Sequence, residues 1–590
     1  MPSPPNLFNY TSGLWLVNNE LRLAERRREF NDEVLRRLAA QSVGRTLQDV
    51  KTMLKLDEGG FNRIFLITMH DNFQMIARVP YPITVPKFYA VASEVATMRF
   101  LRAKGLPVPE VYAYSPTPDN AAGTEYIFME FVKGKKLTDV WMELKEADLA
   151  SVLRQMVELE CRIMTIPFPA GGSLYYAEDL EKVVGRAMMG IPMPLDGERF
   201  CVGPDVRFHM WYGRRSQLDV DRGPYEDAAA VLAASARKEI AYLKRFGQAL
   251  LPFQRARREA YKYEKQSPVD HIENLERYLR MASLIVPDDP SLHSFRIRHP
   301  DLQPSNVMVS VSPDSGRLKI VSLLDWQHAS ILPLFLLAGI PGRLQNYGDP
   351  DSEKLVPPSL PANVDKLGES ELMAALELHH ARLVHFHYVK RTEELNTHHH
   401  DALLDPVSLF ARRLIDRAGA PWEGETHDLK ELLVEATEKW AELVGTGVPC
   451  PIEFEADEVF ETKKFSKRLQ LSDENFEGCR AMIGFETETW VPTEQYERAK
   501  NLAEILKLKI LMQIIPAGET REITQANWFL DDMDEENYMA ATVMNLSRLG
   551  SVPRSEKGVW TLRQPEQQHY DPWLLGDLDE TRMPVENYLS

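Results

Sequence analysis

The stretch His299-Pro300-Asp301-Leu302-Gln303-Pro304-Ser305-Asn306, answered downstream by Leu323-Leu324-Asp325-Trp326, decides how this 590-residue chain is read. Between the two lie a β-branched run, Val307-Met308-Val309-Ser310-Val311, a turn cluster, Ser312-Pro313-Asp314-Ser315-Gly316, and a second apolar run from Leu318 to Leu324. That order predicts an antiparallel hairpin. Pairing folds the second strand back along the first and carries Asp325 to the open end where Asn306 stands. An amide oxygen and a carboxylate then converge on one point. Such a pair suits Mg²⁺, with waters and phosphate oxygens completing the shell. Asp301 is placed to orient a hydroxyl nucleophile, so the three side chains form the polar set of a magnesium-dependent phosphoryl transferase. The plainer alternative is a surface hairpin with Asx residues at its ends.

Upstream, residues 46–132 read as a small strand-rich lobe. Strands are expected over Lys51–Leu56, Phe61–Met69 and Phe73–Val79, with His70-Asp71-Asn72 as a turn. Gly59-Gly60 lies between the first two, where bare backbone lets N–H groups approach phosphate oxygens; an ordinary hairpin turn is the alternative. The third strand carries Arg78, and a helix over Val91–Lys104, stopped by Gly105 and Pro107, carries Glu94 in its first turns. A strand cation paired to a helix glutamate grips α- and β-phosphates in kinases, although a surface ion pair would look the same in sequence. The apolar strand Glu125–Phe131 then runs into Val132-Lys133-Gly134, where a two-lobed kinase would join its lobes.

Composition bounds the rest. The net charge of −18 argues against a general nucleic-acid binder or a partner of anionic membranes. Four dispersed cysteines without a CxxC pair indicate a reducing compartment and no zinc module. The longest apolar run, near Ile331–Ile340, is too short to span a bilayer. The opening Met1-Pro2-Ser3-Pro4-Pro5 lacks the features of a secretory signal, and the acids interleaved with Arg22 and Arg26–Arg28 are unlike a transit peptide. Residues 19–40 are expected to form one charged amphipathic helix laid on the domain.

The order Gly-Gly loop, strand cation, helix glutamate, hinge strand, HPDLQPSN and LDW resembles the aminoglycoside phosphotransferase and choline kinase superfamily. Phe8-Asn9-Tyr10-Thr11-Ser12-Gly13-Leu14-Trp15, Glu58-Gly59-Gly60-Phe61-Asn62-Arg63, Ala77-Arg78-Val79-Pro80 and Gly203-Pro204-Asp205 resemble its fungal "altered inheritance of mitochondria" branch. The resemblance covers residues 5–345 well and the remainder loosely. It implies an α+β, bilobal protein-kinase-like fold: a small antiparallel β-sheet N-lobe and a large, mainly helical C-lobe with a helical insertion and a C-terminal extension. It implies Asp301 as catalytic base, Asn306 and Asp325 as Mg²⁺ ligands, and Gly59, Gly60, Arg78, Glu94, Glu130 and Val132 as nucleotide-binding, the last two through their backbone. ATP and Mg²⁺ are the implied cofactors, and a mitochondrial location follows from the branch, with the cytoplasm as alternative. Two departures stand out: Arg78 takes the place of the usual lysine, and Pro300 stands where many relatives have glycine.

The expected divisions are an N-terminal extension (1–45), the nucleotide lobe (46–132), the helical lobe with catalytic loop and acceptor region (133–515) and an acidic segment (516–590). Roughly residues 138–290 are expected to be helical and to shape the acceptor pocket. Within them, Phe200–Arg215 is aromatic and basic, a stacking surface or simply core with an arginine rim. The C-terminal third reads as helical, its histidines as a helix surface rather than a metal site. The acidic end, with Trp528, Trp560 and Trp573, is too aromatic for a plainly disordered tail. No APE-type motif follows Asp325, so a protein kinase is disfavoured. Two functions remain: an ATP/Mg-dependent phosphotransferase acting on a hydroxyl of an unidentified small molecule, and a nucleotide-binding, pseudokinase-like scaffold with little turnover. The oligomeric state is not legible.

Overall fold

In the computed structural model, the structure describes residues 6–184, 191–195, 198–313, 316–514 and 518–533. The expected strand-rich lobe is a five-stranded antiparallel sheet in the order β2-β3-β4-β6-β5. Its strands are β2 (Val50–Glu58), β3 (Asn62–Met69), β4 (Gln74–Pro80), β5 (Val111–Ser115) and β6 (Tyr126–Glu130). Both faces are covered, which is why β4 after Gln74 is apolar at every position except Arg78. Met75, Ala77 and Val79 point with Phe65 and Phe128 toward helix α2 (Asp32–Ser42) and its Leu35 and Ala39. Ile76, Ile127 and Met129 face helix α3 (Tyr89–Ala103) through Val91 and Val95. Arg78 shares this second face, so alternation along the strand sends it toward α3.

The N-terminal extension differs from the single helix expected over 19–40. It holds a short strand β1 (Gly13–Trp15), helix α1 (Asn19–Arg26) and α2, with a break at 27–31. Asn31 starts α2 as its N-cap, accepting from Val34 N at 3.0 Å. Phe30 turns inward at the break and meets Phe65 edge-on, with ring centroids 5.7 Å apart. A capping residue and an aromatic anchor together outweigh the helical periodicity.

Past β6 the chain crosses to the larger lobe through a two-residue strand, β7 (Lys135–Lys136), which pairs with the hairpin of the opening motif. Gly134 fits only as glycine: a Cβ would lie 2.6 Å from Val309 O. The second lobe is mainly helical, beginning with α4 (Glu146–Met164), but the expectation of continuous helix over 138–290 fails. Three strands, β8 (Ser173–Tyr176), β9 (Ile191–Leu195) and β10 (Glu198–Gly203), form a sheet ordered β8-β10-β9. Pro192 and Pro194 lie on the edge strand β9, the place a sheet tolerates proline. Next come β11 (Phe295–Ile297), β12 (Val307–Val311), β13 (Leu318–Leu323) and β14 (Ile331–Pro333), with β11 paired to β14.

The C-terminal third is helical as expected, with long helices over Glu369–Leu395 and Ala456–Ile483. It then returns to the N-terminus. Strand β15 (Trp490–Pro492) pairs with β1, and Asn18 Nδ2 donates to Met533 O at 2.7 Å. Of the acidic end, helix Glu519–Ala526 and the buried Trp528 are described; Asp534 onward, including Trp560 and Trp573, lies outside the described residues. No helix among the described residues is long and apolar enough to cross a membrane.

Two of the histidines are structural. His399 is fully buried against Gly339, with Nδ1 3.6 Å from Glu160, whose carboxylate also takes Arg298 Nε at 2.7 Å and the Tyr388 hydroxyl. His271 is buried with Nδ1 2.8 Å from Thr426 Oγ1. Burial holds each down to about 4. The unfolded chain therefore takes up these protons first, near pH 6.5. Their contribution to stability is complete above that pH and is lost as pH falls toward 4. The loss should reach roughly 3 kcal/mol per site at the acid limit. We expect Tm to fall across this window, and His271→Gln or His399→Gln to flatten its slope; an unchanged slope in both variants would refute the assignment.

Candidate functional site

The loop that carries Asp301 leaves β11 and closes with a short 3₁₀ turn at Pro304–Asn306. The expected hairpin forms: Val307 stands opposite Leu323 and Val311 opposite Leu318, with a bulge at Met308/Val309. Leu324 N donates to Asn306 O at 2.8 Å, so the two ends of the motif are joined through backbone. Asn306 Nδ2 donates to Asp301 O at 2.8 Å and Oδ2 at 3.1 Å. Its amide nitrogen is thereby committed, and its oxygen is the atom a cation would take. Gln303 Nε2 also donates to Asp301 Oδ2, and Asp301 itself is exposed.

His299 ties these pieces together. Its Nδ1 accepts from Asp301 N at 3.1 Å, and its Nε2 donates to Leu324 O at 2.8 Å. That pairing fixes the tautomer. The ring lies 4.5 Å from that of the fully buried Trp326. Burial lowers the His299 pKa, against the pull of Leu324 O, so the imidazole stays neutral. One side chain thus spaces the Asp301 loop from the Asp325 strand.

Asp325 sits at φ 62° and His328 at φ 64°, left-handed positions on either side of Trp326-Gln327. A non-glycine residue in that region costs of order 1 kcal/mol, and the surrounding contacts hold it there. Arg78 reaches across from β4: Nη2 meets Asp325 Oδ1 at 2.6 Å and Gln327 Oε1 at 2.9 Å, and Nη1 meets the Glu94 carboxylate. Asn62, with its amide oxygen turned inward, accepts from Arg78 Nε at 3.1 Å and Nη2 at 2.6 Å. Burial works against the charge on Arg78, but Glu94 and Asp325 sustain it. Burial pushes Glu94 up to about 7, with Arg78 opposing and Asp325 adding to the rise. Asp325 is exposed on one side, and there partial desolvation is outweighed by Arg78, so the carboxyl stays below its ordinary value. The expected Arg78–Glu94 pair is therefore present and extends to Asp325.

Gly59 and Gly60 form the exposed tip of the β2–β3 hairpin, with Gly59 N bonded to Asn62 O at 3.0 Å and open space over Gly60. Phe61 beside them crosses to the other lobe, 5.2 Å from the His328 ring and 5.5 Å from that of Phe208. Glu130 ends β6 and Val132 follows in the linker, both half-buried. Glu130 N is bonded to Glu110 O at 2.8 Å, and Arg78 stands opposite Ile127 on the same strand. The structure thus forms two contact groups, Asp301 with Asn306 and Asp325 with Arg78 and Glu94, ties them through the Leu324 backbone and His299, sets Gly59-Gly60 next to Asn62, and leaves Glu130 at the end of β6 and Val132 in the linker beyond it.

Of the aromatic and basic stretch, Arg215 is buried on Glu239, Nε to Oε2 2.7 Å, and Trp211 donates Nε1 to Asp205 O at 2.6 Å. Those residues belong to the core. Phe208 and Tyr212 stay half-buried beside the cleft, their rings 4.9 Å apart. Gln303, Gln327, Asn62 and His328 were not singled out from sequence. For Gln303 and Asn62 the only signal was position within the quoted motifs, and for Gln327 and His328 it was adjacency to Asp325-Trp326.

A sequence profile described as the phosphotransferase enzyme family matches residues 54–335. A subtelomeric hrmA-associated cluster protein of Aspergillus fumigatus is 31% identical over 519 residues, covering 82% of this chain and 97% of the relative. The altered inheritance of mitochondria protein 9, mitochondrial, of Yarrowia lipolytica is 26% identical, covering 84% and 86%. Among solved structures, a streptomycin–ATP–APH(2'')-IIa ternary complex aligns over 69% of this chain and 97% of that one, at 12% identity and a TM-score of 0.34. With the profile spanning both the glycine hairpin and the Asp301–Asp325 hairpin, and with a relative 31% identical along 97% of its length, the chain belongs to the phosphotransferase enzyme family, and it is similar along most of its length to the altered inheritance of mitochondria proteins.

Proposed function

We propose that this protein transfers the γ-phosphoryl group of ATP to a hydroxyl of a small molecule, with Mg²⁺ as its metal. The observation that supports the reading is the backbone bond from Leu324 N to Asn306 O, which ties the Asp301–Asn306 pair to the neighbour of Asp325, itself bonded to Arg78 and through it to Glu94. Asp301, held on Oδ2 by Gln303 and Asn306, keeps Oδ1 to orient the acceptor hydroxyl and take its proton. The Asn306 amide oxygen and the Asp325 carboxylate would hold the metal, a hard-oxygen set that fits Mg²⁺. When bound, the metal supplies neutralisation of charge on the phosphate oxygens. Arg78, oriented by Glu94, Gln327 and Asn62, grips the phosphates, and the Gly59-Gly60 amides cover them. The backbone at Glu130 and Val132 receives the adenine.

On this reading residues 46–132 are the nucleotide lobe and 133–515 the catalytic and acceptor lobe, flanked by the extensions 1–45 and 516–590. The net charge of −18 suits a small acceptor better than nucleic acid. The names of several relatives point to the mitochondrion as its compartment, with the cytoplasm as alternative. A second reading, a nucleotide-binding scaffold with little turnover, draws on one contact: a guanidinium already rests on the carboxylate that would ligate the metal.

Asp301→Ala should bind Mg·ATP within about 3-fold of wild type yet lose turnover by about 10²-fold or more. Asp325→Ala should lose the magnesium dependence of binding. Background rates shared by wild type and Asp301→Ala across a metabolite panel would decide for the scaffold. Arg78→Lys cannot reproduce a fork bonded to Glu94, Gln327 and Asn62 at once, and should lower kcat/KM for ATP about 10-fold or more. Wild-type kcat/KM in Arg78→Lys would show that any cation suffices there.

A further inference from the structure

The opening segment Leu7–Val17 and the carboxylate it grips have no part in the phosphoryl-transfer set, yet they sit at the base of the glycine hairpin. Glu58, the residue before Gly59-Gly60, is 6% exposed. Its Oε2 accepts from Thr11 N at 2.8 Å and from Thr11 Oγ1, Ser12 N and Ser12 Oγ at 3.0 Å each. Its Oε1 accepts from Arg63 Nε at 2.9 Å and Lys55 Nζ at 3.0 Å. Six donors on one carboxylate more than fill its roughly four lone-pair sites.

Both strands of the hairpin are fastened the same way. Arg63, fully buried at the start of β3, donates to Leu7 O at 3.1 Å and Phe8 O at 3.0 Å. Lys55 on β2 donates to Asn9 O at 3.1 Å. The segment is backed in turn by residues 490–493, on and just after β15. Thr493 Oγ1 donates to Thr11 O at 2.8 Å and Trp490 Nε1 to the Tyr10 hydroxyl at 3.1 Å. Two adjacent glycines leave a loop with the widest backbone freedom a chain can have. Backbone donors stabilise charge best when already fixed in place. A buried carboxylate is also a poor way to gain bulk stability, since apolar side chains of similar volume do as well. Its value here lies in geometry.

We infer that Glu58 is a positioning residue of the nucleotide site, and that Thr11 and Ser12 form a strap that sets the Gly59-Gly60 amides for phosphate through it. This rests on the phosphotransferase reading above. It also gives the Leu7–Val17 segment, and the strand that backs it, a share in nucleotide affinity.

The test uses the full chain with Thr11→Ala/Ser12→Ala, which removes two hydroxyl donors and keeps both backbone N–H groups, alongside Glu58→Gln. Amide exchange without nucleotide should rise about 10-fold over residues 57–62 in the double variant while β4 and β6 keep their protection. The Kd for Mg·ATP should rise roughly 3- to 10-fold in the same protein, with kcat at saturating ATP within about 2-fold of wild type. Unchanged exchange at the hairpin overturns the inference. So does a uniform rise across the lobe with unchanged Kd, which marks Glu58 as merely structural. Should Glu58→Gln not fold, the double variant decides alone. A wild type that binds no Mg·ATP while the variant's hairpin exchange rises would overturn the phosphotransferase reading, and the nucleotide role of Glu58 with it.

Discussion

The Arg78 guanidinium is the point on which the two lobes are registered. It leaves the central strand of the small sheet, meets Glu94 on α3, and ends on Asp325 and Gln327 of the large lobe. Burying a guanidinium is costly unless its donors are matched by acceptors. Here the acceptors come from three separate segments, so helix α3, the Asp325–Gln327 segment and the start of β3 must all arrive for the charge to be satisfied. A lysine offers a single point charge and could not survey so many partners. The arginine in the lysine position is thus part of a set that includes Asn62 and Gln327.

A second, uncharged link closes the same cleft. Phe61, Phe208 and His328 gather at the tip of the glycine hairpin, and His328 Nε2 lies 2.8 Å from Val85 O. Trp326 plugs the core behind them while Asp325 before it and His328 two residues after it take left-handed backbone. The local strain at Asp325 and His328 is concentrated beside the candidate metal ligands, where over-determined geometry is common in functional sites.

How much of this was legible depended on whether the signal was local. The β12–β13 hairpin, the α3 stop at Gly105 and the strands of the small sheet follow from alternation, turn residues and breakers, and they hold to within a few residues. The Arg78–Glu94 pair was visible because each residue sat at a fixed place in a recognisable element. What stayed hidden was long-range. The strands β8 to β10 are short runs inside helical surroundings, and only pairing with one another makes them strands. Asn62 and Gln327 are ordinary amides until Arg78 lies between them. Phe30 sits in the break between α1 and α2 and packs on Phe65, a partner found far along the chain.

The pairing of β1 with β15 joins segments near opposite ends of the described chain, Gly13 facing Pro492. A chain leaving the ribosome at roughly 5–20 residues per second would display its first strand for tens of seconds before its partner emerged. The sheet and α3 can form in that interval, but the outer layer over them cannot be finished until residues 490–492 have emerged. An edge left waiting so long is an invitation to wrong neighbours. Translation speed and chaperone capture therefore bear on this protein at its earliest residues.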